Sequence, residues 1–163
     1  MIEKDRKRDT AVHEAAHAVI GRVLGIEAGE VTIRPTPDQS IGHSVLADPR
    51  FDWRRCDGTK AKAANSFVVA LFAGAEAEHY LMHSQEVGDG IDQERATACL
   101  AWAGAVRGAS FVGDDHFDRH EANLRKKAAA PVRQHRSAIE RVANALLERE
   151  TLSGPEVDAL ISP

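Results

Sequence analysis

Cysteine is nearly missing from this chain: Cys56 and Cys99 are the only two among 163 residues. They stand far apart and show none of the spacings of a cysteine zinc site, so neither a disulfide scaffold nor a zinc finger is expected. Reduced thiols in a cytoplasmic protein are the simplest reading. Long apolar runs are missing too. The longest, Phe67 to Ala75, suffices only for a core helix, and Met1-Ile2-Glu3-Lys4-Asp5 lacks a signal-peptide apolar region. No membrane insertion is therefore expected. Nor is there an excess of positive charge, since 21 Lys and Arg face 25 Asp and Glu, for a net charge of −4. The basic clusters Lys4 to Arg8 and Arg125-Lys126-Lys127 read as solvated faces, and no nucleic acid partner is expected. Internal repeats and low-complexity linkers are absent, and the length suits one domain over residues 1–163.

Histidine, by contrast, is plentiful, with eight in the chain. Two of them form His13-Glu14-Ala15-Ala16-His17, a His-Glu-x-x-His sequence in a segment of helical periodicity. On a helix, positions i and i+4 lie about 40° apart and one turn up, so both imidazoles can reach one cation. Glu14 falls about 60° from His17, on the shoulder of that face, where its carboxylate can take a proton from an attacking water. The bland alternative is an amphipathic helix whose two histidines happen to share a face. Against it, Val12, Ala16, Val19, Ile20 and Val23 form an apolar stripe with both histidines on its edge. That places them inside, yet able to meet groups from another element.

The first helix is expected from about Asp5 to Leu24, ending at the cap-suited Gly25. Val31-Thr32-Ile33, a proline-containing loop from Arg34 to Ser40, and the alternating Ile41 to Leu46 predict a small β-hairpin. Asp48 to Gly58 reads as loop, with Phe51 and Trp53 packed onto the domain. A second helix is expected over 59–83, with Phe67, Val68, Leu71, Ala75 and Met82 on one arc. Glu78 falls inside that arc. A carboxylate there is costly unless paired, so it is either a site residue or half of a buried salt bridge.

A third helix is expected to begin near Asp92, which shares a stripe with Ala96, Cys99 and Ala103. Spacing leaves Asp92 open between an N-cap and an inward-pointing metal ligand. From Asp114 the chain is again helical, with Pro131 kinking or splitting it. Ile139, Val142, Leu146 and Leu147 mark the last long helix, and Ser153-Gly154-Pro155-Glu156 starts a short final one. His79 with His83 and His116 with His120 repeat the i, i+4 spacing without a following glutamate, and read as surface or half-buried residues. His43 reads as a solvated strand residue within reach of substrate, Cys99 as packed core, and Cys56 as an exposed loop thiol.

Taken in order, four segments resemble the peptidase domain of FtsH-type AAA proteases. They are His13-Glu14-Ala15-Ala16-His17-Ala18-Val19; Val31-Thr32-Ile33-Arg34-Pro35 with Ile41-Gly42-His43-Ser44 and Pro49; Leu71 to Glu78 with Gly88 to Thr97; and Ala145 to Leu152 with Glu156-Val157. The resemblance spans nearly the whole chain and is weakest over 104–136. It implies a mainly α, helical zincin-like metallopeptidase fold with the small β-hairpin near residues 31–46, and a second strand bordering the substrate groove. It also implies that Asp92 is the third ligand of a single Zn²⁺ beside His13 and His17. Glu78 would then stand behind a ligand histidine, with third ligand as its reserve role.

Three departures stand out: Ala73-Gly74-Ala75 replaces a Gly-Gly-Arg of the family, the pattern after Ala96-Thr97 is not kept, and neither an ATPase module nor a membrane segment is expected within residues 1–163. The expected activity is a zinc-dependent metalloendopeptidase acting on polypeptide, with Glu14 as the catalytic base. Two alternatives accompany it. One is a catalytically silent peptide-binding or regulatory domain with a structural metal, and the other a peptidase subunit serving a separate AAA ATPase.

Overall fold

A computed structural model of the chain describes residues 2–35, 42–52, 60–84, 90–107 and 112–162. It is mainly helical with one small antiparallel sheet, the mainly α zincin-like architecture expected. In chain order the elements are α1 (Ile2–Val23), β1 (Ala28–Thr32), β2 (His43–Leu46), a short α2 (Pro49–Asp52) and α3 (Lys60–Ala77). A π-helical turn (Glu78–Met82), α4 (Gly90–Arg107), α5 (Asp115–Gln134), α6 (Arg136–Arg149), β3 (Thr151–Leu152) and α7 (Gly154–Ile161) follow.

α1 is the hub. Residues 11–21 are buried on every side, because α3 packs on one flank and α6 on another, with β1 and β2 against it as well. A helix apolar or small all round its middle can be wrapped in this way, and Ala11, Ala15, Ala16 and Ala18 let neighbours approach closely. The expected stripe holds at Val12, Ala16, Val19 and Ile20 but not at Val23, which is exposed where the helix runs out at the surface. One apolar cluster joins α1 to α6, α7, β1 and β3, and the other joins α3 to α4, α5 and β2.

The expected hairpin is one part of a three-stranded sheet ordered β2-β1-β3. Val31 faces Ser44 on one side and Leu152 on the other, and a bulge lies between Ala28 and Val31. β3 has only two residues, too few for any period to show. It is set up by Glu150, whose φ of 64° turns the chain out of α6. The Glu150 carbonyl accepts from the Ile33 N–H at 2.8 Å, and its carboxylate takes Lys7 at 2.7 Å. Arg22, at the end of α1, donates to the carbonyls of Ala18, Ala28 and Gly154 and to Asp158, tying α1, β1 and α7 together.

Several expectations need correction. The second helix does not run evenly to His83: it widens to π geometry at Glu78 and ends at His83 with φ 54°. Phe51 is 85% exposed rather than packed, lying under the Arg50 guanidinium instead of on the domain. Pro131 is accommodated inside α5, and the break comes at His135. The final helix begins where Ser153 donates both its backbone N–H and its hydroxyl to the Glu156 carboxylate. Trp53 and Cys56 lie outside the described residues, as do Val87-Gly88-Asp89 of the expected glycine-containing loop, whose Gly90 instead opens α4. Among the described residues no helix is long and apolar enough to cross a membrane.

Candidate metal centre

The two motif histidines leave α1 toward α3, whose small residues make room for them. Gly74 is the closest point: a Cβ built there would come within 2.6 Å of His13 Nε2. Any side chain at 74 would push the imidazole away, so this mid-helix glycine serves the site by its lack of a side chain. Sequence reasoning did not single out Gly74 as a site residue. The available signal was an isolated glycine in an otherwise strong helical pattern.

Each ring is held from behind by its other nitrogen. His13 Nδ1 donates to Glu78 Oε1 at 2.5 Å, and His17 Nδ1 donates to the Ala70 carbonyl at 2.8 Å. A carbonyl can only accept, so the proton of His17 belongs on Nδ1, and Nε2 is the nitrogen turned toward α4. Glu78 reaches His13 from the first residue of the π-helical turn. Such widened turns recur at functional sites because they re-aim side chains that a regular helix would misdirect.

Asp92, in the first turn of α4, closes the constellation. Its Oδ2 lies 3.0 Å from His13 Nε2 and 3.0 Å from His17 Nε2. One donor atom from each of His13, His17 and Asp92 lies within 4.8 Å of the others. The geometry thus turns Asp92 inward, and puts Glu78 on the far nitrogen of His13 rather than within this trio.

Burial works against charge here, yet the partners win at His13 and Asp92. Burial lowers the His13 pKa, but hydrogen bonds to Asp92 and Glu78 with the Glu14 charge raise it to about 10. Burial would raise the Asp92 carboxyl, but the charge of His17 and hydrogen bonds from both histidines hold it well below the usual carboxylate range. For Glu14 burial prevails and its pKa is raised, opposed by His17 and His13.

These groups line a cleft of about 360 Å³. Its floor is His13, Glu14, His17, Glu78 and Asp92, and Gly42 with His43, Ser44 and Leu46 of β2 forms the opposite wall. The Ser44 hydroxyl donates to the Glu14 carbonyl at 2.9 Å, pinning that strand to α1. Gly42 is needed there: its φ is 133°, and an added Cβ would meet the Thr32 carbonyl at 2.8 Å and the Glu14 side chain at 3.2 Å. Among the described residues β2 pairs on one side only, with β1. The other histidine pairs do not join the cleft; His79, His83 and His116 are exposed, and His120 meets the Asn65 side-chain oxygen at 2.9 Å. Cys99 is buried, as expected.

Fold and cluster together define the class, a mainly α zincin-like domain with His-Glu-x-x-His on a central helix. The family it resembles is that of the FtsH-type zinc metalloproteases, and the likeness covers nearly the full chain. It is 34% identical to the ATP-dependent zinc metalloprotease FtsH 1 of Symbiobacterium thermophilum, over 96% of this chain and 29% of that protein. Identity is 27% to FtsH 1 of Bdellovibrio bacteriovorus, over 99% of the chain and 30% of the relative. For FtsH of Mesomycoplasma conjunctivae it is 26%, over 98% and 25%. The chain thus spans only a quarter to a third of the length of the relatives it matches. No protein-family model matches it.

Proposed function

We propose that the chain is a zinc-dependent endopeptidase domain that hydrolyses polypeptide. The observation that carries this is the trio of His13 Nε2, His17 Nε2 and Asp92 Oδ2 within 4.8 Å, beside a buried Glu14 in an open cleft. Two imidazoles and a carboxylate are a donor set suited to Zn²⁺, and the second nitrogen of each ring is already satisfied, as metal-binding histidines require. His13, His17 and Asp92 would hold one ion per chain, and Glu78 would orient His13. When bound, zinc supplies Lewis acidity that lowers the pKa of a water and polarises the scissile carbonyl.

The remaining work falls to the chain itself. Glu14 takes the proton of the attacking water and delivers it to the departing amine. Its raised pKa makes it a stronger base for taking that proton. The open edge of β2 pairs with the substrate backbone as an added strand, giving affinity with little dependence on sequence. An ATPase module, on this or another polypeptide, is the proposed partner, because the relatives are named ATP-dependent.

Elemental analysis tests the metal, with about one zinc per chain expected for the wild type and little for His17→Ala and Asp92→Ala. Retention of zinc by Asp92→Ala would pass the third-ligand role to Glu78. Cleavage of an unfolded protein by the zinc-loaded chain tests the activity. Glu14→Gln should keep its zinc and lose about 10²–10⁴-fold in rate. Zinc without any turnover that Glu14→Gln abolishes would leave a peptide-binding domain with a structural metal. Co-purification of an AAA protein with the tagged chain tests the partner.

A further inference from the structure

Arg95 stands one helical turn beyond Asp92 on α4 and lines the same cleft. Among the described residues its nearest anionic atom is Asp92 Oδ1, at 3.7 Å from Nη1, too far for a hydrogen bond. Among the described residues its guanidinium makes no hydrogen bond. Asp48, the other nearby acid, is taken by Arg50 at 2.6 Å. Arg95 nevertheless does not swing free: it packs over the ring of the fully buried Phe67, 5.4 Å from the centroid, with about a third of its side chain exposed. It is a preorganised planar cation with five N–H donors to offer, and among the described residues no other Arg or Lys lines the cleft.

We infer that Arg95 is a specificity-determining residue that receives a peptide carboxylate next to the scissile bond, an inference that rests on the proposed peptidase reading. The placement is set by the chain of contacts. The guanidinium lies one carboxylate beyond the His13–His17–Asp92 trio, so a ligand group reaching it belongs to a residue within one or two of the bond being cut. An extended peptide advances about 3.3 Å per residue, which allows no greater separation. A carboxylate matches the guanidinium fork in two parallel hydrogen bonds, whereas a neutral amide or an ammonium group does not. The carboxylate can come from an acidic side chain or from the C-terminus of the peptide.

Three peptide sets separate these sources: C-terminally amidated peptides with Glu scanned around the cut, their Gln counterparts, and neutral peptides ending in a free carboxylate near the cut. In zinc-loaded wild type, kcat/KM should favour the carboxylate-bearing member about tenfold or more. Arg95→Gln should bring that ratio close to one while keeping zinc, and Arg95→Lys should retain part of it. A preference for Glu over Gln identifies the side chain as the source, and a preference for the free acid over the amide identifies the terminus. Equal cleavage of all sets, or an equal loss on all of them in Arg95→Gln, would overturn the inference and reduce Arg95 to a support for Asp92. Binding of the same peptides to zinc-loaded Glu14→Gln, followed by fluorescence anisotropy, needs no turnover. A carboxylate preference there that Arg95→Gln removes upholds the role of Arg95 even if wild type cleaves nothing. Absence of such a preference refutes it whether or not peptides are cut.

Discussion

The two walls of the cleft differ in how completely their polar groups are paired. On the helical wall, His13, Glu14, His17 and Glu78 are all buried, and each imidazole nitrogen has a partner. On the opposite wall β2 leaves an edge open, His43 is half-buried, and beside the helical wall Ile91 and Arg95 reach into the opening. A satisfied, buried network has one arrangement and resists motion, which suits groups that must hold a metal at fixed distance. Backbone donors and side chains left open suit the recognition of a chain of varying sequence. The proposed reading puts chemistry on the rigid wall and recognition around the opening.

The contrast breaks most sharply at Gly74. Gly74→Ala drives a methyl into the His13 ring, and zinc affinity is expected to fall by more than the roughly 10–100-fold typical of losing a supporting contact. Gly90→Ala, whose Cβ would meet nothing within 4 Å, is the silent control. Competition with a chromogenic chelator reads both. Next in size, Glu78→Gln weakens the hold on His13 Nδ1 and should cost about tenfold or more in the same assay.

Acidity sharpens the comparison further. With His13 raised to about 10 in the metal-free protein, zinc must displace its proton. Calorimetry in buffers of different ionisation enthalpy should therefore show about one proton released per zinc near neutral pH, with apparent affinity rising about tenfold per pH unit up to pH ~9. The sign for stability is opposite. A folded-state pKa above the ordinary 6.5 gives stabilisation that is complete below 6.5 and lost as pH climbs through about 10. The Tm of the metal-free protein should accordingly fall over that window. An unchanged Tm would mean the His13 contacts are not formed without metal.

The smallest effect belongs to the open wall. His43→Ala should leave zinc content unaltered and shift KM by less than about tenfold, because no hydrogen bond anchors that side chain to the metal trio. A loss of zinc in His43→Ala would join the two walls into one unit and end the distinction.

What could be read in advance followed periodicity. The His-Glu-x-x-His spacing, the stripes of α1 and α3 and the Ser153–Glu156 start of α7 are local patterns, each complete within a few turns. Glu78 was visible as a carboxylate on an apolar arc, although its partner was not. Phe51 was misplaced because an aromatic in a loop carries no period to say which way it faces. β3 was missed because two residues show no alternation, and it forms only by pairing with β1, more than a hundred positions earlier in the chain.

By itself, then, the sequence determined which side chains share a helix face, and with that the pairing of His13 with His17 and the shoulder position of Glu14. It left Asp92 undecided between cap and ligand, and it was silent on Ala70, whose carbonyl orients His17 through a contact spanning 53 positions. Tertiary structure decided which way Asp92 faces and which carbonyl holds His17. Helical spacing constrains residues only within a turn or two, whereas the direction of a carboxylate and the tautomer of an imidazole depend on groups brought alongside by packing.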